Sequence, residues 1–372
     1  MTHAPPAETH QLFNDAVKLR LANRLDDAAG RALGLWAGGY RTPWLALLLG
    51  NVALDLGFYQ DACNWHTEGW NLVAPNGRIK PEAEKYFQYI ALPLAYSRLR
   101  LGLWDPFTFL LWELGRVNRS WHPAPNTRPW GGQPEKLLIL SEGGFGDIFL
   151  YSRLFQKLDP LQRAASRLVM APMFTPLRGL RNWDGVESVW SDDIFDWSSF
   201  KFSAALMSLL SFTGIRSPED IPPAQEFHVK RTKSPARLGL CWAAEENGVQ
   251  KRIRSIDNPA DLEPLRRFQF VSLIPGKTLP YFAYDAGLDS WTKTARVIAG
   301  LDAVVSVDSA VLHLAGLLGV PAIGILPLCS DWKYLLNRTD CIWWPTVKLF
   351  RNQSPYSWRD VMERVATYLE TL

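Results

Sequence analysis

The feature that most constrains this sequence is a change of hydrophobic period on either side of the segment WHPAPNTRPWGG, Trp121 to Gly132. Before it, apolar residues recur at three- and four-residue spacing from Leu12 to Leu21, Trp44 to Leu56 and Tyr86 to Leu101, the period of amphipathic helices. After it, short apolar runs alternate with amphipathic stretches, the pattern of strands and helices in a parallel sheet. A chain that switches period across a Pro/Gly-rich stretch must build two kinds of body, so the segment is read as a linker. Its 372 residues, at about 150 per domain, suggest two or three domains.

Within the helical part, Leu49-Gly50, Gly57-Phe58-Tyr59, Ala62 and Pro75-Asn76 form a pattern. Small residues at Gly50 and Ala62 let two helices approach closely, Gly57 suits the tight turn between them, and Tyr59 fills the groove beside it. Asn23, Leu25 and Ala28 stand 34 positions before Gly57, Tyr59 and Ala62, and Gly102 and Trp104 repeat the turn 45 positions after Gly57. The pattern resembles tetratricopeptide repeats. That resemblance implies pairs of helices over residues 1–120 that bind a protein partner or buttress the next domain. A generic helical bundle with a coincidental spacing is the alternative.

Beyond the linker at 121–133, strands are expected at Lys136–Ser141, Arg167–Ala171 and Val186–Trp190, with a helix from about Asp147 to Leu158. A second alternation starts at Arg237–Trp242. It continues through strands at Phe268–Leu273, Ala303–Val307 and Ala322–Leu326 and helices at Thr292–Leu301, Ser309–Leu318 and Ser357–Leu372. The fold class is therefore α/β: two Rossmann-like lobes, at 134–230 and 231–372, facing across a cleft and preceded by the all-α helical domain. Ligands in such folds sit at the carboxyl ends of the strands.

Composition narrows the function without naming it. Lys and Arg number 40 against 37 Asp and Glu, a net charge of +3, which argues against a general nucleic-acid coat. The four cysteines are scattered, with no CxxC pair, which disfavours a zinc ribbon or a disulfide framework. The N-terminus lacks a basic stretch followed by an apolar core, and no apolar run is long enough to span a bilayer, so a soluble cytoplasmic protein is expected.

Three constellations could carry chemistry. Glu142-Gly143-Gly144-Phe145-Gly146-Asp147 follows a strand and opens a helix. Its glycines, Gly144 and Gly146 among them, allow close backbone approach of an anion, while Asp147 either caps the helix or serves as a general base. The spacing is not that of a dinucleotide fingerprint. The second is Asp308-Ser309-Ala310-Val311-Leu312-His313 at a strand end and helix start. There, backbone donors, a hydroxyl and an imidazole would converge on a site suited to a diphosphate leaving group, unless Asp308 and Ser309 only cap and His313 only packs. The third is the basic loop Lys251-Arg252-Ile253-Arg254-Ser255, a phosphate clamp or simply a solvated loop. Asp331-Trp332 and Trp343-Trp344-Pro345 could stack on a base or sugar, or pack in a core.

The runs GLCW at Gly239–Trp242, VSVDSAVLHLAGLLGVP at Val305–Pro321, the DW…WW-P…LFR pattern from Asp331 to Arg351, and GGFGD at Gly143–Asp147 together resemble GT-B glycosyltransferases. The resemblance is to the ADP-heptose:lipopolysaccharide heptosyltransferase-like family, in particular a branch in which tetratricopeptide repeats precede the transferase region. It implies a GT-B fold, with an acceptor on the first lobe and a nucleotide sugar on the second, and inversion at the anomeric carbon without metal or cofactor. By the same resemblance Asp147 is the base, and Asp308, Ser309, Ala310 and His313, with Lys251 or Arg254, hold the donor. The acceptor is a glycan, protein or modified-nucleobase hydroxyl. The loop Ala243–Ser255 departs from the family pattern, and residues 192–223 carry none of its landmarks. The alternatives are a non-catalytic scaffold with degenerate lobes and an epimerase, for which no paired acidic or basic residues stand out.

Overall fold

The computed structural model describes residues 7–116, 124, 126–179, 182–190, 192–222, 237–244, 254–276 and 280–371. They divide into two compact units. One takes the N-terminal residues together with Leu328–Leu336 and Ser354–Tyr356, and the other takes the remainder.

The first unit contains α1 (Ala7–Leu21), α2 (Leu25–Ala37), α3 (Pro43–Asp55), α4 (Tyr59–Val73), α5 (Gln88–Arg100) and α6 (Pro106–Leu114), packed as successive pairs. Helix starts follow local chemistry. The Thr42 hydroxyl accepts from the Leu45 N–H (3.2 Å) with Pro43 opening α3, and Asp105 accepts from the Thr108 N–H (2.8 Å) with Pro106 opening α6. The turn positions read from the spacing share one backbone conformation: φ is +61° at Asn23, +84° at Gly57 and +80° at Gly102. Glycine adopts this left-handed region freely, and Asn is among the few other residues that tolerate it. Gly50 does allow close approach: a Cβ there would lie 2.3 Å from the His66 ring, so the imidazole occupies the notch.

The segment Leu328–Leu336, expected in the second lobe, completes this helical unit. The Tyr59 hydroxyl donates to the Leu328 carbonyl, and Arg100 donates through Nε and Nη2 to the Ser330 carbonyl at 2.9 and 2.7 Å. Trp332 meets Trp104 and Trp112 edge to face at 5.7 and 5.5 Å. Trp332 is thus a core residue and not a stacking platform, because it is 2% exposed and packed against two other indoles.

The second unit holds two six-stranded sheets. The first comprises β1 (Arg128–Pro129), β2 (Leu137–Leu140), β3 (Arg167–Met170), β4 (Asn182–Trp183), β5 (Val186–Trp190) and β6 (Phe202–Ala205) in the order β1-β6-β2-β3-β5-β4. Its pairings are parallel except β4 with β5. The second comprises β7 (Leu238–Cys241), β8 (Phe270–Ser272), β9 (Ala283–Asp285), β10 (Ala303–Val307), β11 (Ala322–Leu326) and β12 (Val347–Arg351), parallel throughout in the order β12-β11-β10-β7-β8-β9. Strands β7, β10 and β11 are buried along their whole length, as parallel strands covered on both faces must be.

Part of the Pro/Gly segment is structured. Arg128 and Trp130 donate to the carbonyls of Lys201 and Ser203, both at 2.9 Å, so Pro129, which has no N–H, falls at the outward position of an edge strand. The helices of this unit are α7 (Phe145–Tyr151), α8 (Pro160–Ala165), α9 (Leu209–Phe212), α10 (Trp291–Ala299), α11 (Ala310–Leu317) and α12 (Arg359–Leu369). The helix expected to reach Leu158 ends at Tyr151 and continues as a 3-10 turn over Ser152–Lys157. Among the described residues, no helix is long and apolar enough to cross a membrane.

Candidate functional site

The first constellation lies between β2 and α7, at the carboxyl edge of the first sheet. Gly143 has φ +75°, and a Cβ on it would lie 2.4 Å from Asp147 Oδ2 and 2.6 Å from Met207 Cε, so only glycine fits this turn. The Gly144 N–H donates to Asp147 Oδ2 at 2.7 Å, which gives the carboxylate the capping role read from the sequence. Asp147 remains partly exposed. Glu142, quoted in the motif without a role, accepts from the Met207 N–H at 2.8 Å and ties the turn to the loop after β6.

The second constellation lies between β10 and α11. Ser309 takes the N-cap position, but its side chain makes no cap bond. The hydroxyl instead meets Ser306 Oγ at 2.9 Å and Cys241 Sγ at 3.5 Å, so the ends of β10 and β7 hold it. Asp308, 1% exposed, faces Arg254 with Oδ2 3.1 Å from Nη1. Arg254 is therefore anchored by a buried carboxylate, and removing either partner strands a charge at a cost of about 3–5 kcal/mol. Lys251 lies outside the described residues.

His313 is buried. Its Nδ1 receives the indole N–H of Trp344 at 3.0 Å, and its Nε2 lies 3.8 Å from Asp308 Oδ1. An indole nitrogen can only donate, so Nδ1 must be the acceptor and the neutral ring carries its proton on Nε2, on the side of Asp308. Trp344 was read as a candidate stacking surface. It is fully buried and packs on α11 at Gly316, where a Cβ would lie 2.4 Å from its ring. Trp343 is likewise buried, edge-on to Tyr151 at 5.8 Å. Arg153, which the sequence did not single out, lies 5.4 Å over the Trp344 ring and donates to the Pro222 carbonyl at 2.6 Å. Burial lowers its pKa from the ordinary arginine value, an effect that Asp184 opposes.

These two constellations, far apart in sequence, meet. A Cβ on Gly146 would lie 3.1 Å from His313 Cδ2 and 3.4 Å from Ala310 Cα, so the first turns of α7 and α11 pack against each other. Gly144, Gly146, Asp147, Asp308, Ser309, Ala310, His313 and Arg254 thus belong to one neighbourhood. Its inner members are Asp308 and His313, and the partly exposed ones are Gly144, Gly146, Asp147, Ser309, Ala310 and Arg254. Cys241, Ser306, Met207 and Trp344 support it; Cys241, Ser306 and Trp344 lie inside quoted motifs but their supporting contacts were not read there, and Met207 lies in no motif.

The chain is an α/β protein with two mainly parallel sheets, a glycine turn at the carboxyl edge of the first, and a helical unit besides. No family model matches it. It is 24% identical over 322 residues to Protein FlbA of Caulobacter vibrioides, a match covering 70% of this chain and 53% of that protein. The chain thus spans about half the length of this curated relative. Among solved structures it is similar to E. coli ADP-heptose lps heptosyltransferase II, with 14% identity, 63% of this chain and 99% of that one covered, and a TM-score of 0.41. It is similar also to a glycosyl transferase family 9 structure from Veillonella parvula, with 9% identity, 66% and 100% covered, and a TM-score of 0.38. An O-GlcNAc transferase mutant from Thermobaculum terrenum matches with 13% identity, 100% and 92% covered, and a TM-score of 0.28.

Proposed function

We propose that this chain is a GT-B glycosyltransferase that moves a sugar from a nucleotide-sugar donor to a hydroxyl acceptor, inverting the anomeric carbon without a metal or cofactor. The observation that carries the reading is the contact of Gly146 with Ala310 and His313, which joins the acidic glycine turn to the helix start suited to a diphosphate. In this mechanism Asp147 takes the acceptor proton as the hydroxyl oxygen attacks the anomeric carbon and the bond to the diphosphate breaks. The leaving diphosphate accepts from the free N–H groups at the start of α11 and from the guanidinium of Arg254, which Asp308 orients. His313 positions the first turn of α11 from beneath. Acceptors are a glycan, a protein or a modified-nucleobase hydroxyl; a protein partner would dock on the helical unit, read as tetratricopeptide-like, and the reaction would run in the cytoplasm.

A second reading, a non-catalytic scaffold, draws on the fact that one Asp147 oxygen is spent on the Gly144 N–H and that His313 is buried. A thermal-shift panel of ADP-, GDP-, UDP- and dTDP-linked sugars separates the two. A bound donor in excess over its dissociation constant should raise Tm by several degrees, corresponding to a few kcal/mol. Arg254→Gln should abolish the shift, whereas Asp147→Asn should keep the shift and lose transfer. Full-rate transfer by Asp147→Asn removes that residue from the mechanism, and no shift with any donor favours the scaffold.

A further inference from the structure

The face of α4 carries Asp61, Asn64, Trp65 and Glu68 at i, i+3, i+4 and i+7, so two carboxylates, an amide and an indole share one stripe. With Trp36 of α2 and Arg41 beyond its end they line a recess of about 390 Å³ within the helical unit. The two indoles meet edge to face, with centroids 5.1 Å apart and planes at 79°, and both pack against the core, which fixes them as walls. The Arg41 guanidinium lies 5.5 Å over the Trp36 ring. Among the described residues, Asp61 and Glu68 enter no ion pair. The Asn64 carbonyl accepts from Gln60 at 3.1 Å, which leaves its amide hydrogens to be donated elsewhere.

The lining selects a ligand class by exclusion. An anion would face two carboxylates. A cation would be drawn by the two carboxylates, but Arg41 offsets one of them and already covers the Trp36 face, so a second positive charge meets repulsion on that wall and gains no cation–π contact there. A purely apolar guest would leave the donors and acceptors it covers without partners. What remains is a neutral ligand with C–H faces for the indoles and hydroxyls that both donate and accept around its rim. We propose that this recess binds a neutral sugar residue of a glycan. Its size is within the range of small-molecule sites, roughly 300–1,000 Å³, and its indole walls and planar polar side chains match the two kinds of surface a pyranose presents. The site does not depend on the chain being a transferase.

Saturation-transfer NMR on the full chain, without any nucleotide sugar, tests it. Maltose, lactose, mannobiose and diacetylchitobiose are the neutral probes, with trilysine and glucuronate as charged controls. One or more neutral disaccharides should bind and the controls should not. The double variant Asp61→Ala/Asn64→Ala, at exposed positions, should weaken that binding tenfold or more while leaving the circular dichroism unchanged. The same disaccharide carried on a short peptide separates a free saccharide from an attached one: equal affinity assigns a free sugar, and tighter binding assigns a protein-linked glycan. Binding of trilysine or glucuronate at the recess, unchanged affinity in the double variant, or silence from all four disaccharides would overturn the proposal. A donor shift that persists in the double variant would keep the transferase reading intact in any of those cases.

Discussion

His66 is the group whose titration the fold controls most. It is 1% exposed, with Nδ1 2.8 Å from the Ser97 hydroxyl and its ring seated against Gly50. Burial first, then the positive charges of Arg100 and Arg20, lower its pKa from 6.5 to about 3. The folded protein therefore keeps this imidazole neutral where the unfolded chain protonates it. A histidine depressed in the fold contributes stability that is fully present above the unfolded value. That stability is lost as pH falls from about 6.5 toward about 3. Between pH 7 and pH 4 the unfolded chain gains about three-quarters of a proton at this site and the folded one about a tenth. The span below 6.5 at about 1.36 kcal/mol per unit gives a loss of roughly 3 kcal/mol. Urea unfolding of the helical signal at the two pH values, on wild type and on His66→Gln, measures it. The variant should start less stable and show a flatter pH dependence by about that amount. Carbon-13 labelling of the six histidines gives the direct check. A His66 ring titrating near pH 6 in the folded protein, or an equal pH slope in the variant, would refute the reasoning.

Trp344→Phe removes the donor that His313 Nδ1 uses and should cost about 1–3 kcal/mol; nitrogen-15 shifts should report His313 as the Nε2–H tautomer in wild type, and an Nδ1–H tautomer there would contradict the hydrogen-bond assignment. Gly115→Ala would place a Cβ 2.8 Å from the Leu92 backbone nitrogen and Cα, a contact that no side-chain rotation relieves. It should destabilise the helical unit by about 1–3 kcal/mol in a thermal melt, and an unchanged Tm would show that α5 and α6 separate more easily than their packing implies.

The parts of the fold legible in the sequence were those set by local rules. Strands Val186–Trp190, Ala303–Val307 and Ala322–Leu326 appear with the boundaries expected of them; the last two read as short, nearly continuous apolar runs because parallel strands covered on both faces are buried along their length. The equivalence of Asn23, Gly57 and Gly102 was visible because a left-handed turn restricts residue type. What stayed hidden depends on partners remote in sequence. Edge strand β1 exists because Arg128 and Trp130 find the carbonyls of Lys201, just before β6, and Ser203, on it, and nothing local distinguishes it from a linker. Trp332, Trp343 and Trp344 have the same composition signal whether they stack on a ligand or fill a core, and the neighbours that decide, such as Trp104, Trp112 and Gly316, lie elsewhere in the chain.

The candidate site shows the same division at higher resolution. The residue types were readable, but their duties were not, because a carboxylate at a helix start can cap, pair or react, and the choice is set by what else reaches it. Asp147 caps through one oxygen, whereas Asp308 spends a buried charge on holding Arg254. A buried carboxylate costs stability unless it is paired, so its presence beside the opening of α11 has to be explained by what it orients. Arg254, the basic loop's cation among the described residues, is held at this strand end by Asp308. A guanidinium paired with a buried carboxylate is not a freely solvated charge, so the solvent reading of the loop does not hold for Arg254.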